Sequence, residues 1–293
     1  MNDRQIKKGK VILAGAGPGD PELLTLKAAR YLQLAEVILT DRLVSPEILL
    51  THANPKAEII YVGKQCGRGT STRQENINSM LVEYALQGKL VIRLKGGDVS
   101  FFSNILDELQ ELTINEIEYE IIPGVTAASG AAAYAGIPLT AREHSTAVRF
   151  LTYYKSEILS EEYWKDLANT NDTIVFYMSG EAAPAIVQKL CSHNIDPAKK
   201  IALIAQATTP MQQVYISGLY EVDEKLYQKF ISPSLIIIGK VVNLHASFAW
   251  FPNNEQPGHY FNPIAKLATV LTDNITTELT DNKDKAKRYA GRA

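Results

Sequence analysis

Cysteine is almost missing from this sequence: Cys66 and Cys191 are the two among 293 residues. Two thiols make neither a disulfide framework nor a cysteine-only metal site, and such usage suits a reducing compartment. Histidine is scarce as well, with five residues at 52, 144, 193, 245 and 259. None falls in an HxH or HExxH spacing, so no protein-held metal is expected. Long apolar runs are absent: Val11–Ala14 and Leu235–Ile238 have the length of core strands, far short of the ~20 residues of a spanning helix. Neither sign of charge is in excess. A formal net charge of −2 gives no global field for nucleic acid or an anionic membrane. The opening MNDRQIKKGK is basic but carries no apolar signal-peptide stretch. The expectation is a cytoplasmic protein that binds neither nucleic acid nor membrane.

What the sequence has is 46% apolar residues, enough for two compact domains. Strand candidates form a first series at Lys10–Ala14, Glu36–Thr40, Glu58–Val62, Leu90–Leu94 and Glu120–Ile122. A second series lies at Val148–Thr152, Thr173–Met178, Lys200–Ala205, Val214–Ser217 and Ser234–Gly239. Runs such as VILAG, VILT and LVIRL are apolar throughout rather than alternating. They read as strands covered by helices on both faces, hence a mainly parallel sheet. The breaker-rich stretch from Gly136 to His144 marks a boundary, giving α/β domains over 9–142 and 143–251 and a polar tail over 252–293.

Helix starts are legible too. Asp20-Pro21-Glu22 offers an N-cap, a proline and an acid in the first turn, and Leu24, Ala28, Tyr31, Leu32 and Ala35 trace an apolar face. Ser71-Thr72-Arg73-Gln74 fits a capping box.

Four segments follow strand ends: GAGPGDPELLTLKAA (15–29), LTDRLVS (39–45), RLKGGD (93–98) and IPGVTAASGAAAYAGIPLT (122–140). In an open α/β sheet such strand ends converge on one ligand crevice. The first loop superficially suggests a dinucleotide fingerprint, with Asp41 where a ribose-binding acid would stand. Its third glycine comes one residue early, however, and Asp20 would set a carboxylate against pyrophosphate. The loop suits a ligand without phosphates. By itself the first loop also reads as a tight turn that merely needs glycine, the KGGD loop is equally consistent with a structural turn, and the alanines of 127–133 with close helix packing alone.

Together the four segments, with VGK at 62–64, FYM at 176–178, TTPMQQ at 208–213 and SLIIIGKVV at 234–242, resemble the uroporphyrinogen-III C-methyltransferases of the tetrapyrrole methylase superfamily. The similarity runs from about Gly9 to Trp250. The resemblance implies a tetrapyrrole methylase-like homodimer with a ligand cleft between two α/β domains. It implies S-adenosylmethionine (S-adenosyl-L-methionine) as methyl donor and a small-molecule tetrapyrrole substrate: uroporphyrinogen III, methylated at C2 and C7 to precorrin-2 on the way to sirohaem or cobalamin. By position it implies donor contacts at Pro18, Gly96, Gly97, Asp98, Phe101, Thr126, Ala127, Met178 and Ala207. It also implies Asp41 as proton acceptor and Lys64 as proton donor.

The chemistry agrees with these residue types. A methyl sulfonium needs alignment with its carbon nucleophile, and a carboxylate can take the proton released. Met178 and Phe101 would wall the donor. A substrate with eight carboxylates calls for a basic rim, for which Arg42, Lys64, Arg68, Arg73, Arg142 and Arg149 are the nearby cations.

The sequence departs from the family in places. The usual GGDPFIFGRGGEE reads Gly97-Asp98-Val99-Ser100-Phe101-Phe102-Ser103-Asn104-Ile105-Leu106-Asp107-Glu108 from its second glycine. The usual PLTHR reads Pro138-Leu139-Thr140-Ala141-Arg142, and the usual TGH reads Thr152-Tyr153-Tyr154. These changes touch the acceptor side more than the donor side. A methylase of another precorrin and a noncatalytic S-adenosylmethionine-binding regulator are therefore open alternatives, with a nicotinamide oxidoreductase behind them. Retention of Asp41 favours catalysis.

Overall fold

The computed structural model describes residues 7–62, 72–153, 159–222, 231–254 and 258–261. Two five-stranded sheets carry the chain. The first holds β1 (Lys10–Gly15), β2 (Val37–Thr40), β3 (Glu58–Tyr61), β4 (Leu90–Lys95) and β5 (Glu118–Ile122) in the order β3-β2-β4-β1-β5, all parallel. Alternate residues of these strands feed two cores. Ile12, Ile38, Ile92 and Leu94 pack under α1 (Leu26–Leu34) and α2 (Pro46–His52). Val11, Leu13, Leu39 and Val91 pack under α3 (Gln74–Leu86) and α4 (Leu106–Ile114). Burial on both faces is why the strand sequences show no alternation. Each fully buried Ile or Leu contributes about 1.5–3 kcal/mol.

The second sheet holds β6 (Val148–Thr152), β7 (Thr173–Tyr177), β8 (Lys200–Ala205), β9 (Gln213–Gly218) and β10 (Ser234–Gly239) in the order β6-β7-β10-β8-β9. Here the expectation of a parallel sheet fails. Only β6 and β7 pair in parallel, while β7–β10, β10–β8 and β8–β9 are antiparallel. Apolar strands covered on both faces look alike in either direction, and this sheet is also covered twice. Trp164, Leu167, Ile186 and Leu190 of α6 (Glu161–Asn169) and α7 (Ala183–Ser192) lie on one face. Ala128, Ala131 and Ala132 of α5 (Ala127–Tyr134) lie on the other, beside Val241 and Val242.

Two helix starts differ from expectation. Asp20 does cap, accepting the Glu22 N–H at 2.8 Å, but what it opens is a single 3-10 turn, Pro21–Leu23. The helix proper begins at Leu26 behind a second cap, Thr25. Of the capping box expected at 71–74, Ser71 lies outside the described residues. Arg73 takes the N-cap position of α3 without a side-chain hydrogen bond, and Gln74 instead donates to Asn78 at 3.0 Å.

Candidate active site

β4 lies between β1 and β2, so the loops leaving all three strand ends are neighbours. Gly17 and Gly97 exchange backbone hydrogen bonds of 3.1 and 2.7 Å, zipping the GPGD and KGGD loops together. Gly96 stands so close to the third loop that an added Cβ would lie 2.9 Å from Leu43 Cβ. Beside them comes the loop after β5, where a Cβ on Gly124 would lie 2.4 Å from the Gly97 carbonyl oxygen.

Asp98 locks this arrangement. Buried to 7% exposure, its carboxylate accepts the Ser100 N–H on Oδ1 and the Gly124 N–H on Oδ2, both at 2.7 Å. Its side chain is thus spent on two loops of the protein, and the geometry gives it an organising part.

Gly97 is different. It has φ +70°, the left-handed region that favours glycine, and a Cβ placed there would meet the backbone N of Ala127 at 3.7 Å and otherwise open space. Ala127 is the first residue of α5, so its N–H has no partner within the helix. Thr126, the N-cap, does not use its hydroxyl to cap. That hydroxyl is hydrogen-bonded to the phenol of Tyr177 at 2.7 Å, and the same phenol accepts the Ala128 N–H at 3.1 Å. Burial pushes the Tyr177 phenol above its ordinary pKa, partly offset by these two hydrogen bonds.

The strand ends of the second sheet face the same space. β7 and β8 are both antiparallel to β10, so their carboxyl ends share one edge. Met178 directly after β7 is 65% exposed and has φ +53°. Gln206 and Thr208, on either side of Ala207, have φ +48° and +65°. A left-handed non-glycine residue costs roughly 1–2 kcal/mol, and such strain collects where structure serves a ligand.

Contacts of the GPGD loop with the second sheet and with α5, the helix packed on that sheet, fix the approach of the two sheets. Asp20 N donates to Thr208 Oγ1 at 3.0 Å, and the Asp20 carboxylate accepts the Tyr134 hydroxyl. Pro18 is buried against α5, where a Cβ on Gly130 would lie 2.5 Å from the proline ring. The loop that departs from the family also crosses over. Phe101 packs edge-on to Phe150 with ring centres 5.5 Å apart, and Phe102 packs on Tyr177 at 4.9 Å.

Asp41 sits half-exposed at the end of β2. Its Oδ1 accepts the Leu43 N–H at 3.1 Å, and its carbonyl accepts the Val44 N–H at 3.3 Å, which makes 41–44 one turn. Among the described residues no hydrogen bond occupies Oδ2. Lys64, Cys66, Arg68 and Tyr154 lie outside the described residues. Of the expected rim cations, Arg149 is committed elsewhere. It pairs with Asp172 at 2.6 Å and with Asp166, and these carboxylates raise its pKa. Arg42 is half-buried, and Arg73 and Arg142 are exposed.

The sequence reading missed a buried charge cluster under these loops. Glu108 is 0% exposed and pairs with both Arg93 and Lys95 at 3.1 Å. Lys95 has its pKa lowered, first by burial and then by Arg93, against the pull of Glu108 and Asp41. The signal available was two cations of alternate register, Arg93 and Lys95, in an otherwise apolar strand, followed by an acid within a helix. Elsewhere, an apolar hollow of about 410 Å³ lined by Ala132, Ala133, Gly136, Ile137, Pro138 and Phe248 carries no titratable side chain. Among the described residues no group of three or more His, Cys, Asp or Glu could hold a metal ion, and no helix is long and apolar enough to cross a membrane.

With this geometry in place, likeness to known proteins is informative. The family model of tetrapyrrole (corrin/porphyrin) methylases matches residues 10–223. The siroheme synthase of Azotobacter vinelandii is 45% identical over 248 residues, covering 84% of this chain and 53% of the relative. The chain thus spans about half the length of the curated relatives it matches. The crystal structure of uroporphyrin-III-C-methyltransferase from Thermus thermophilus is 34% identical with a TM-score of 0.69, covering 84% of this chain and 98% of that one. A structure of the Thermus thermophilus enzyme complexed with S-adenyl homocysteine is 33% identical with a TM-score of 0.67, covering 80% of this chain and 100% of that one.

Proposed function

Because the chain belongs to the tetrapyrrole (corrin/porphyrin) methylase family, we propose that it methylates uroporphyrinogen III at C2 and C7 to give precorrin-2, with S-adenosylmethionine as donor. The observation that carries this reading is the meeting of the loops after β1, β2, β4 and β5 at Gly96 and Gly97. The open space at Gly97 lies beside the backbone N of Ala127, the first residue of α5.

The residues fit the donor. A left-handed glycine with open space in place of a side chain, a helix-start N–H and an exposed methionine suit a ligand that brings hydrogen-bond acceptors and an apolar adenine face close to the backbone. Gly96, Gly97, Thr126, Ala127, Met178 and Ala207 would hold it, with Phe101 at the wall and Pro18 and Asp98 shaping the loops. When bound, the donor supplies a methyl group already activated by its sulfonium charge.

The chain's own residues do the rest. The loops align donor and acceptor within one cleft. Asp41, whose Oδ2 carries no hydrogen bond among the described residues, receives the proton that the methylated macrocycle gives up, and its charge stabilises the cationic ring before that loss. Lys64 is proposed to return a proton to the rearranged product.

The assembly is proposed to be a cytoplasmic homodimer. The proposed domains are 9–142 and 143–251, each built round one sheet with α5 reaching from the first to the second, and a polar segment from 252.

Anaerobic incubation with S-adenosylmethionine and uroporphyrinogen III, read by mass, tests the proposal. A gain of two methyl groups is expected, and Asp41→Ala should abolish most turnover while leaving donor affinity within a few-fold. Donor binding with no methylated product would instead favour another precorrin as acceptor, or a noncatalytic role.

A further inference from the structure

Ser45 holds the N-cap position of α2, where a serine hydroxyl ordinarily accepts a backbone N–H of the first turn. Here it makes no capping bond. Its Oγ is instead hydrogen-bonded to the Tyr260 hydroxyl at 2.7 Å, although Ser45 is only 1% exposed and the two residues are 215 positions apart. A buried cap has been diverted to a residue beyond the segment that the family model matches.

Tyr260 is itself well anchored. Its N–H donates to Gln206 Oε1 at 2.7 Å, and Gln206 Nε2 donates back to the Gly258 carbonyl at 2.9 Å. Gln206 is buried and directly precedes Ala207. Phe261 is 4% exposed and packs edge-on to the Tyr260 ring at 5.1 Å. Upstream, Asn254 N donates to the Gln212 carbonyl at 2.9 Å and its side chain to the Pro210 carbonyl at 2.8 Å. Burial raises the Tyr260 pKa, which keeps the phenol protonated as a hydrogen-bonding group.

We infer that residues 258–261 strap the loop after β2 to the second sheet, and that Tyr260 is a positioning residue for the carboxylate of Asp41. Asp41 through Val44 form one hydrogen-bonded turn that runs directly into Ser45. Holding Ser45 therefore fixes where the Asp41 carboxylate points. The other end of the strap sits on the turn that carries Ala207, so the acceptor side and the donor side of the cleft are braced through one tyrosine. The catalytic part of this inference rests on the role proposed for Asp41; the strap does not.

The test uses the full chain with Tyr260→Phe, Ser45→Ala and the double variant. Amide hydrogen exchange at Leu43 and Val44 reads local opening directly. About a fivefold faster exchange is expected in each single variant, the worth of one net hydrogen bond, with exchange in β1 and β4 unchanged. The double variant should be no worse than either single one. In the methylation assay kcat should fall about fivefold while donor affinity stays within twofold. Unchanged exchange at 43–44 in both single variants would overturn the strap. Faster exchange with unaltered kcat would overturn the positioning role. A wild-type chain that fails to methylate uroporphyrinogen III defeats the proposed function, while the exchange data still decide the strap.

Discussion

The phenol of Tyr177 is hydrogen-bonded to Thr126 at 2.7 Å, so a residue at the end of β7 organises the first turn of α5. The N-cap threonine and the Ala128 N–H are thereby held by the sheet on which the helix packs. Tyr177→Phe removes the oxygen and keeps the ring, along with its contacts to Phe102 at 4.9 Å and Phe150 at 6.0 Å. Loss of about 1 kcal/mol of hydrogen bonding should weaken donor binding about fivefold. Titration calorimetry with S-adenosylmethionine checks this, and full affinity in the variant would take Tyr177 out of the donor site.

Gly97→Ala tests the cradle. The new Cβ enters the open space beside Ala127 N, and φ +70° adds roughly 1–2 kcal/mol of strain. Donor affinity should drop more than tenfold with a modest loss of stability. Gly124→Ala should fail differently. Its Cβ would lie 2.4 Å from a backbone oxygen, so the loops must part and the melting temperature should fall as well. Equal donor affinity in wild type and Gly97→Ala would contradict this account.

Glu108→Gln should be among the most damaging single substitutions. It leaves Arg93 and Lys95 buried, 4% and 7% exposed by side chain, without their shared anion. Breaking a buried ion pair on one side costs about 3–5 kcal/mol. Lys95→Met removes the second cation and leaves Arg93 paired with Glu108, so it should unfold close to the wild-type denaturant midpoint. Urea titration of both variants separates them.

Alkaline pH should loosen the contact between the GPGD loop and α5. Burial, and then the hydrogen bond to Asp20, push the Tyr134 phenol up to about 12 from 10.0. Its pKa is raised in the folded state, so its contribution to stability is complete below pH 10 and is lost as pH rises toward 12. Absorbance at 295 nm follows the ionisation. Asp20→Asn should bring Tyr134 down part of the way and leave it above 10, because burial is the larger cause. An unaltered titration in that variant would remove Asp20 as a cause.

Much of this architecture could be read from the residues. The strands at 10, 58, 90, 148, 173, 200 and 234 begin where apolar runs begin, and four loops rich in Gly, Pro, Asp and Thr do converge. Strand direction in the second sheet was not legible, because an apolar run such as SLIIIG buries equally well beside either neighbour. The organising role of the Asp98 carboxylate was not legible, because the Gly124 N–H that it accepts lies 26 positions later. The Arg93–Glu108–Lys95 cluster escaped because its members belong to a strand and the following helix. Tyr260 escaped because one aromatic residue in a polar stretch carries no periodicity.

The alanine face of α5 has a bearing on how the chain acquires its structure. This helix follows β5 directly, yet Ala128, Ala131 and Ala132 are buried against Val175, Ala202, Ile204 and Ile237. During synthesis the parallel sheet can close once residue 122 has emerged, but α5 must wait about a hundred residues for β10. Domains generally fold as units from the N-terminus, so a partly folded nascent chain would carry an uncovered apolar helix. The Gly97 cradle, one wall of which is Ala127, would then form last, and methyl-donor analogues should accelerate the final refolding step far more than the first.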